Sequence, residues 1–172
     1  VSGARGSGTF WMAKPPRALL GAAVVLIAAA VAAGGEAAGV RVIDGDTLEV
    51  GGETIRLWGI DAPEDGQTCW RAETSYDCGA EALAALSRLV SGRAVRCEAR
   101  YKDRYGRTVA RCFTGGVDVG GELVRQGWAL DYERYSKGHY RQDQAEAKTE
   151  GLGLWSGEFA PPWEWRHPSS KQ

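Results

Sequence analysis

Histidine is scarce in this chain: only His139 and His167 occur among its 172 residues. No C-x-x-C pair joins its four cysteines, Cys69, Cys78, Cys97 and Cys112. Both absences argue against a zinc site, which is usually built from paired thiolates or clustered imidazoles. A basic excess is missing too, since 21 Lys and Arg stand against 22 Asp and Glu. Proteins that hold nucleic acid through backbone charge alone usually carry such an excess. Any such contact here must come from a local arginine cluster. No internal repeat or low-complexity stretch follows Gly39. The apolar run Ala18 to Ala33 is 16 residues long, short of the roughly 20 that a spanning helix needs.

That run sits in a recognisable order. Lys14 and Arg17 precede it, and the small residues Gly34, Gly35, Ala37, Ala38 and Gly39 follow it, interrupted only by Glu36. Positive region, short apolar run and small residues make a secretory leader. Residues 1–37 are expected to be removed, with the cut near Ala37 or Ala38, and residues before Met12 are read as an over-extended start. An uncleaved membrane anchor is the alternative. Without the leader, 18 Lys and Arg face 21 Asp and Glu, a formal charge of about −3. Residues 38–172 then form one domain, long enough for a single core. In an exported domain an even number of cysteines reads as disulfides. Four of the seven Trp fall late, at Trp128, Trp155, Trp163 and Trp165. They imply a C-terminal segment pinned by large aromatic surfaces.

The pattern predicts strands at Val40–Ile43, Thr47–Val50 and Thr54–Trp58, with Gly51-Gly52 as the hairpin turn. Residues 61–78 have no clean period and read as a loop. Glu81–Val90 is helical, with Leu83, Leu86 and Val90 on one face and Gly92 as a stop. Strands follow at Ala94–Ala99 and Thr108–Phe113, joined by the Asp103–Gly106 turn. A turn centred between Arg104 and Tyr105 sets Cys97 opposite Cys112, within bridging reach. Cys69 and Cys78 remain for a second, shorter bridge. Helices are expected at Glu122–Gln126 and His139–Glu150. Five strands, a helix between the third and fourth, and terminal helices give an α+β fold with a small Greek-key barrel of the OB type.

Three stretches carry chemistry. Asp44-Gly45-Asp46-Thr47 is either a tight turn or a source of oxygen ligands for a hard cation such as Ca²⁺. The remaining ligands of an EF-hand are missing. Arg56 to Glu64 sets Arg56, Asp61 and Glu64 along a strand end and a proline-containing loop, where they could gather around one oxyanion. Asp103-Arg104-Tyr105-Gly106-Arg107 is more than a hairpin turn, because Asp103 and Gly106 account for the turn but not for two arginines and a tyrosine. A guanidinium clamps a phosphate through two hydrogen bonds, and a tyrosine can bond phosphate or stack on a base.

Taken together, the three stretches resemble the staphylococcal nuclease family. The resemblance runs from about Val40 to Trp155. It includes Gly79-Ala80-Glu81-Ala82, Leu123-Val124-Arg125-Gln126-Gly127, Glu146-Ala147-Lys148 and Leu154-Trp155. It implies an OB-fold five-stranded barrel with three α-helices, and a Ca²⁺-dependent nuclease that cuts DNA and RNA with little sequence specificity. Single strands would be favoured, the products would be 5′-hydroxyl and 3′-phosphate ends, and a monomer is expected. By motif position, Asp46, Asp61 and the Ala62 carbonyl resemble the metal ligands, with Asp44 behind them. Arg56 and Arg107 resemble the phosphate-binding arginines and Glu64 the general base. Arg104, Tyr105 and Tyr135 resemble substrate contacts, although residues 131–139 depart from the family pattern. The rival class is a non-catalytic OB module that binds nucleic acid or protein. Such modules usually lack the carboxylates and arginines present here.

Overall fold

The computed structural model describes residues 39–167; the leader expected at 1–37 lies outside them. The fold is α+β. Strands β1 (Val40–Asp44), β2 (Thr47–Val50) and β3 (Glu53–Leu57) form an antiparallel meander. Its first turn carries Asp44-Gly45-Asp46 and its second is Gly51-Gly52, both at positive φ. Two short hairpin partners come next, β5 (Thr68–Arg71) and β6 (Thr74–Asp77), after the two-residue β4 (Ile60–Asp61). Helix α1 (Cys78–Val90) then leads to β7 (Val95–Lys102) and β8 (Thr108–Thr114). β8 runs parallel to β3, so the main sheet has the order β1-β2-β3-β8-β7. A short β9 (Val117–Asp118) adds to β8. These are the five strands expected for the OB-type barrel; the described ladder runs as an open order, with no pairing from β7 to β1.

The remaining elements are α2 (Val119–Arg125), β10 (Leu130–Asp131), α3 (Glu133–Ser136), α4 (Arg141–Glu150), a 3₁₀ turn at Gly153–Ser156 and α5 (Pro162–Trp165). The three expected helices are α1, α2 and α4; α3 and α5 are single turns of four residues. Asp77 caps α1 by accepting from the Ala80 N–H at 2.8 Å. Ala82, Ala85, Leu86 and Val90 face inward, whereas Leu83, expected in that stripe, stays at the surface. Small residues on the buried face let α1 sit close to the first turn. A Cβ on Gly45 would lie 2.8 Å from that of Ala62 and 2.9 Å from that of Ala82.

The main core gathers Leu48, Leu57, Ile60, Leu86, Val119, Leu123 and Val124, all nearly sealed from solvent. Each such side chain contributes about 1.5–3 kcal/mol of burial free energy. A second cluster forms around Cys69, Cys78, Leu130 and Leu154, walled by Trp128, Trp155, Phe159 and Trp163. Trp128, Trp155 and Trp163 thus pin the C-terminal segment, as their placement implied, whereas Trp165, expected with them, is exposed. Backbone bonds between Trp70 and Glu158 tie that segment to β5.

Two local differences from the pattern have clear causes. Residues 68–77, read as loop, form a hairpin. Of its eight strand residues only Cys69 is buried, so no apolar alternation marks it. Next, the turn joining β7 and β8 pairs Asp103 with Arg107 through the Asp103 N–H to Arg107 carbonyl bond at 2.9 Å, one residue wider than expected. An irregularity between Ala99 and Tyr101 absorbs the extra residue, and beyond it Cys97 does oppose Cys112. Both expected disulfides form: Cys97–Cys112, with Cα atoms 4.0 Å apart, and Cys69–Cys78 at 5.7 Å.

Candidate active site

The site is built where the first turn, the end of β3 and the segment after β4 converge. Asp44 Oδ1 accepts from the Asp46 N–H at 3.0 Å, an Asx-type bond that closes the turn and sends Asp46 inward. Asp46 is 3% exposed. Its Oδ1 accepts from Thr47 Oγ1 at 3.0 Å and from Arg56 Nη1 at 2.8 Å, and its Oδ2 accepts from the Ala62 N–H at 3.3 Å. Arg56 reaches this point because Thr47 and Arg56 are register partners on β2 and β3. Its other nitrogen, Nη2, donates to Asp61 Oδ1 at 2.7 Å. One guanidinium thereby bridges two buried carboxylates from separate elements.

Burial dominates the electrostatics of Asp46. It pushes the carboxyl up to about 7, and the neighbouring charges of Asp44 and Asp61 add to the rise, while Arg56 works against it. A cation beside Asp46 would favour the ionised form. Arg56 stays firmly protonated: its own burial lowers its pKa, but Asp46 and Asp61 more than compensate. Among the described residues no three His, Cys, Asp or Glu side chains converge on one point. The donors brought together here are the carboxylates of Asp46 and Asp61. That all-oxygen set suits Ca²⁺, which accepts irregular coordination, and suits zinc poorly.

Glu64 is placed by its neighbours on both sides. Its carbonyl accepts from the Gln67 N–H at 3.0 Å, and its own N–H donates to Gln67 Oε1 at 3.1 Å. Gln67 is fully buried, and its Nε2 donates to the Ala160 carbonyl at 2.8 Å. The segment carrying Glu64 is thus hung from the C-terminal chain. That chain also supplies Arg166. Its Nη2 donates to Asp61 Oδ2 at 2.7 Å, and its Nη1 donates to Asp61 Oδ1 at 3.1 Å and to Glu64 Oε1. The bonds to Asp61 above all, and then Glu64, push the Arg166 pKa up against the effect of its partial burial.

The Asp103–Arg107 turn gathers Arg104, Tyr105 and Arg107, three of the residues singled out in the sequence. Asp103 Oδ1 accepts from the Tyr105 and Arg107 N–H groups at 2.9 and 3.0 Å, and Oδ2 accepts from Arg107 Nε at 2.8 Å. Arg107 is held through Nε, and among the described residues no hydrogen bond engages its terminal nitrogens. Tyr105 is 68% exposed, under Arg104, whose Nη2 donates to its hydroxyl at 2.6 Å. Tyr135 is exposed beside Tyr132, ring edge to face at 5.0 Å. The face of Tyr132 is taken by Trp163, stacked at 5.3 Å.

The structure therefore brings Asp46, Arg56, Asp61 and Glu64 into one bonded group, with Ala62 joined through its N–H. Arg104, Tyr105 and Arg107 form the separate turn, and Tyr135 lies on the aromatic edge. Gln67 and Arg166 belong to the first group and were not foreseen. The late tryptophans announced a docked C-terminal segment, but nothing local to Arg166 shows that it returns to residues 61–64.

The comparisons agree with this architecture. The family described as staphylococcal nuclease homologue matches residues 54–157. The succinoglycan biosynthesis protein ExoI of Rhizobium meliloti is 44% identical over 117 residues, covering 66% of this chain and 61% of that protein. An uncharacterized endonuclease of Escherichia coli is 38% identical over 135 residues, covering 74% and 82%. A micrococcal nuclease of Shigella flexneri is 32% identical over 170 residues, covering 89% and 92%. The chain belongs to the staphylococcal nuclease family. Asp46 and Arg166 both fall outside the residues that the family match covers.

Proposed function

We propose that this chain is an exported, Ca²⁺-dependent nuclease that hydrolyses phosphodiester bonds of DNA and RNA, single strands preferentially. The observation that carries the reading is Arg56 bridging the buried carboxylates of Asp46 and Asp61. A cationic donor then stands within hydrogen-bond distance of each of two carboxylates.

Asp46, Asp61 and the Ala62 carbonyl would hold the cation, which neutralises phosphate charge and polarises a phosphoryl oxygen. Glu64 orients a water molecule and accepts its proton as the water oxygen bonds to phosphorus. The P–O5′ bond opposite breaks, its electron pair leaves with the 5′-oxygen, which takes a proton from solvent to become the 5′-hydroxyl, and the phosphate stays on the 3′ side. Arg56 and Arg107 grip equatorial oxygens more tightly as charge gathers on them. Arg104 and Tyr105 meet the neighbouring phosphate, and Tyr135 packs on a base. Export rests on the leader read at 1–37 and fits a domain whose described cysteines are all bridged. We take the protein as a monomer.

The test is hydrolysis of single-stranded DNA with CaCl₂ and then with a chelator, with the product ends identified. Arg107→Ala should lower turnover by about 10²–10³, and Glu64→Gln should lower it while nucleotide binding survives. A wild-type protein that binds Ca²⁺ and nucleotide yet never cuts would replace this reading with the non-catalytic OB module.

A further inference from the structure

Arg166 meets a carboxylate that lies 105 positions away in the sequence. Asp61 is completely buried, and its carboxylate receives hydrogen bonds from two guanidiniums: Arg56 on Oδ1 and Arg166 on both oxygens. Arg166 at the same time takes Oε1 of Glu64. Asp46 and Asp61 are buried and together carry two negative charges when ionised, and Arg56 neutralises one. Burying the remainder without a counter-charge would be strongly unfavourable. Arg166 supplies that charge from the solvent side, where its side chain remains 31% exposed.

The chain that delivers it is fixed at several points. Glu158 pairs with Trp70 through two backbone bonds of 2.8 Å, and Ala160 accepts from Gln67. Trp163 stacks on Tyr132, and the single turn α5 ends directly before Arg166. The guanidinium is thus presented to Asp61 and Glu64 by a docked strap, and only its own side chain has to swing for it to leave.

We propose that Arg166 is the counter-ion of the carboxylate group in the metal-free protein, and that a divalent cation binding at Asp46 and Asp61 displaces it. The proposal rests on the cation-site reading above. Both charges seek the oxygens of Asp61, and a doubly charged ion repels a guanidinium a few ångströms away. Arg166 also helps to order Asp61 and Glu64, which would favour cation binding. Asp61 is already held by Arg56 and by full burial, so that ordering is the smaller effect and competition decides the sign. Displacing Arg166 also frees Oε1 of Glu64. The strap then acts as a built-in occupant that keeps the buried pair Asp46 and Asp61 neutralised until the cation arrives.

The experiment is calorimetric titration of the purified protein with CaCl₂, without nucleic acid, for wild type, Arg166→Ala and Arg166→Lys. Arg166→Ala should bind Ca²⁺ about tenfold more tightly or better, with Arg166→Lys in between, because a lysine keeps the charge but cannot span both carboxylates. Thermal melting adds a second readout: metal-free Arg166→Ala should melt below wild type and gain more from added Ca²⁺. Equal or weaker Ca²⁺ binding by a folded Arg166→Ala would overturn the exchange while leaving the cation site in place. Should Arg166→Ala fail to fold, Arg166→Lys decides, and affinity equal to or below wild type overturns the exchange. No Ca²⁺ binding by any of the three proteins would overturn the cation reading and the exchange with it.

Discussion

A Cβ atom added to Gly79 would lie 1.9 Å from the carbonyl oxygen of Glu64. The first turn of α1 therefore abuts the backbone of the segment that carries Glu64, and only a glycine allows it. Gly79→Ala must push back either the helix start or the Glu64 peptide. Overpacking of this kind costs about 1–3 kcal/mol, and a contact with backbone leaves no flexible side chain to yield. Urea unfolding should show a loss at or above that range, and turnover should fall because Glu64 is displaced. A variant of wild-type stability and activity would mean that the helix start can retreat without moving Glu64.

Much of this arrangement was legible in the sequence. Asp44-Gly45-Asp46-Thr47 and the Arg56–Glu64 stretch are local, so their spacing survives in the fold. The Cys97–Cys112 pairing also followed from the turn, but through compensation, since a wider turn and an irregularity at β7 restored the register. What spacing could not show is long-range. Gln67 meets Ala160 across 93 positions and Arg166 meets Asp61 across 105, and neither residue has a period or a motif to announce it. The β5–β6 hairpin escaped for a different reason: its stability comes from the Cys69–Cys78 bridge and the pairing with Glu158, not from an apolar face.

The two disulfides should separate by function. Cys78 begins α1, and its N–H donates to the Gln67 carbonyl at 2.9 Å, so the Cys69–Cys78 bridge stiffens the segment that holds Glu64. Cys97–Cys112 lies within the β7–β8 ladder, away from it. Replacing either pair with alanines should cost about 2–4 kcal/mol, with the shorter loop at the lower end. Turnover under conditions where both variants stay folded should fall only without Cys69–Cys78. Equal activities would show that the bridge near Glu64 contributes stability alone.

Asp118 is expected to matter for stability and not for the chemistry. Its carboxylate accepts from Arg111 Nε and Nη2 at 3.0 and 2.6 Å, from the buried Tyr140 hydroxyl at 3.1 Å and from the Gly120 N–H at 3.1 Å. Asp118→Ala removes the cap of α2 and leaves a guanidinium and a phenol without their partner. Breaking a largely buried pair from one side costs about 3–5 kcal/mol. Urea unfolding should register most of that loss, while Ca²⁺ affinity of the folded variant should stay within about twofold of wild type. A change in Ca²⁺ affinity would link this network to the carboxylate group, which no described bond does.

Asp103 offers a test that separates the turn from the role proposed for Arg107. Burial alone would raise its carboxyl, but the Arg107 side chain and the Arg107 and Tyr105 N–H groups outweigh it and hold it below its ordinary value of 3.8. A carboxyl depressed in the folded state adds stability that is present above 3.8 and is lost as the pH falls through the lower, folded-state value. Asp103→Asn keeps an oxygen for the two backbone N–H groups but loses the ion pair with Arg107 Nε. Wild type should therefore be more stable than Asp103→Asn at neutral pH, and the difference should shrink on acidification below 3.8 as Asp103 itself becomes neutral. At neutral pH the variant leaves Arg107 charged but unanchored. Its turnover should fall by roughly tenfold, less than the loss of about 10²–10³ expected when Arg107 itself is removed. Denaturation midpoints followed from pH 7 to pH 3, with turnover at pH 7, check both halves. A stability gap that stayed constant with pH would locate the effect of Asp103→Asn in the turn backbone instead of the ion pair. Unchanged turnover would show that the role proposed for Arg107 does not depend on Asp103.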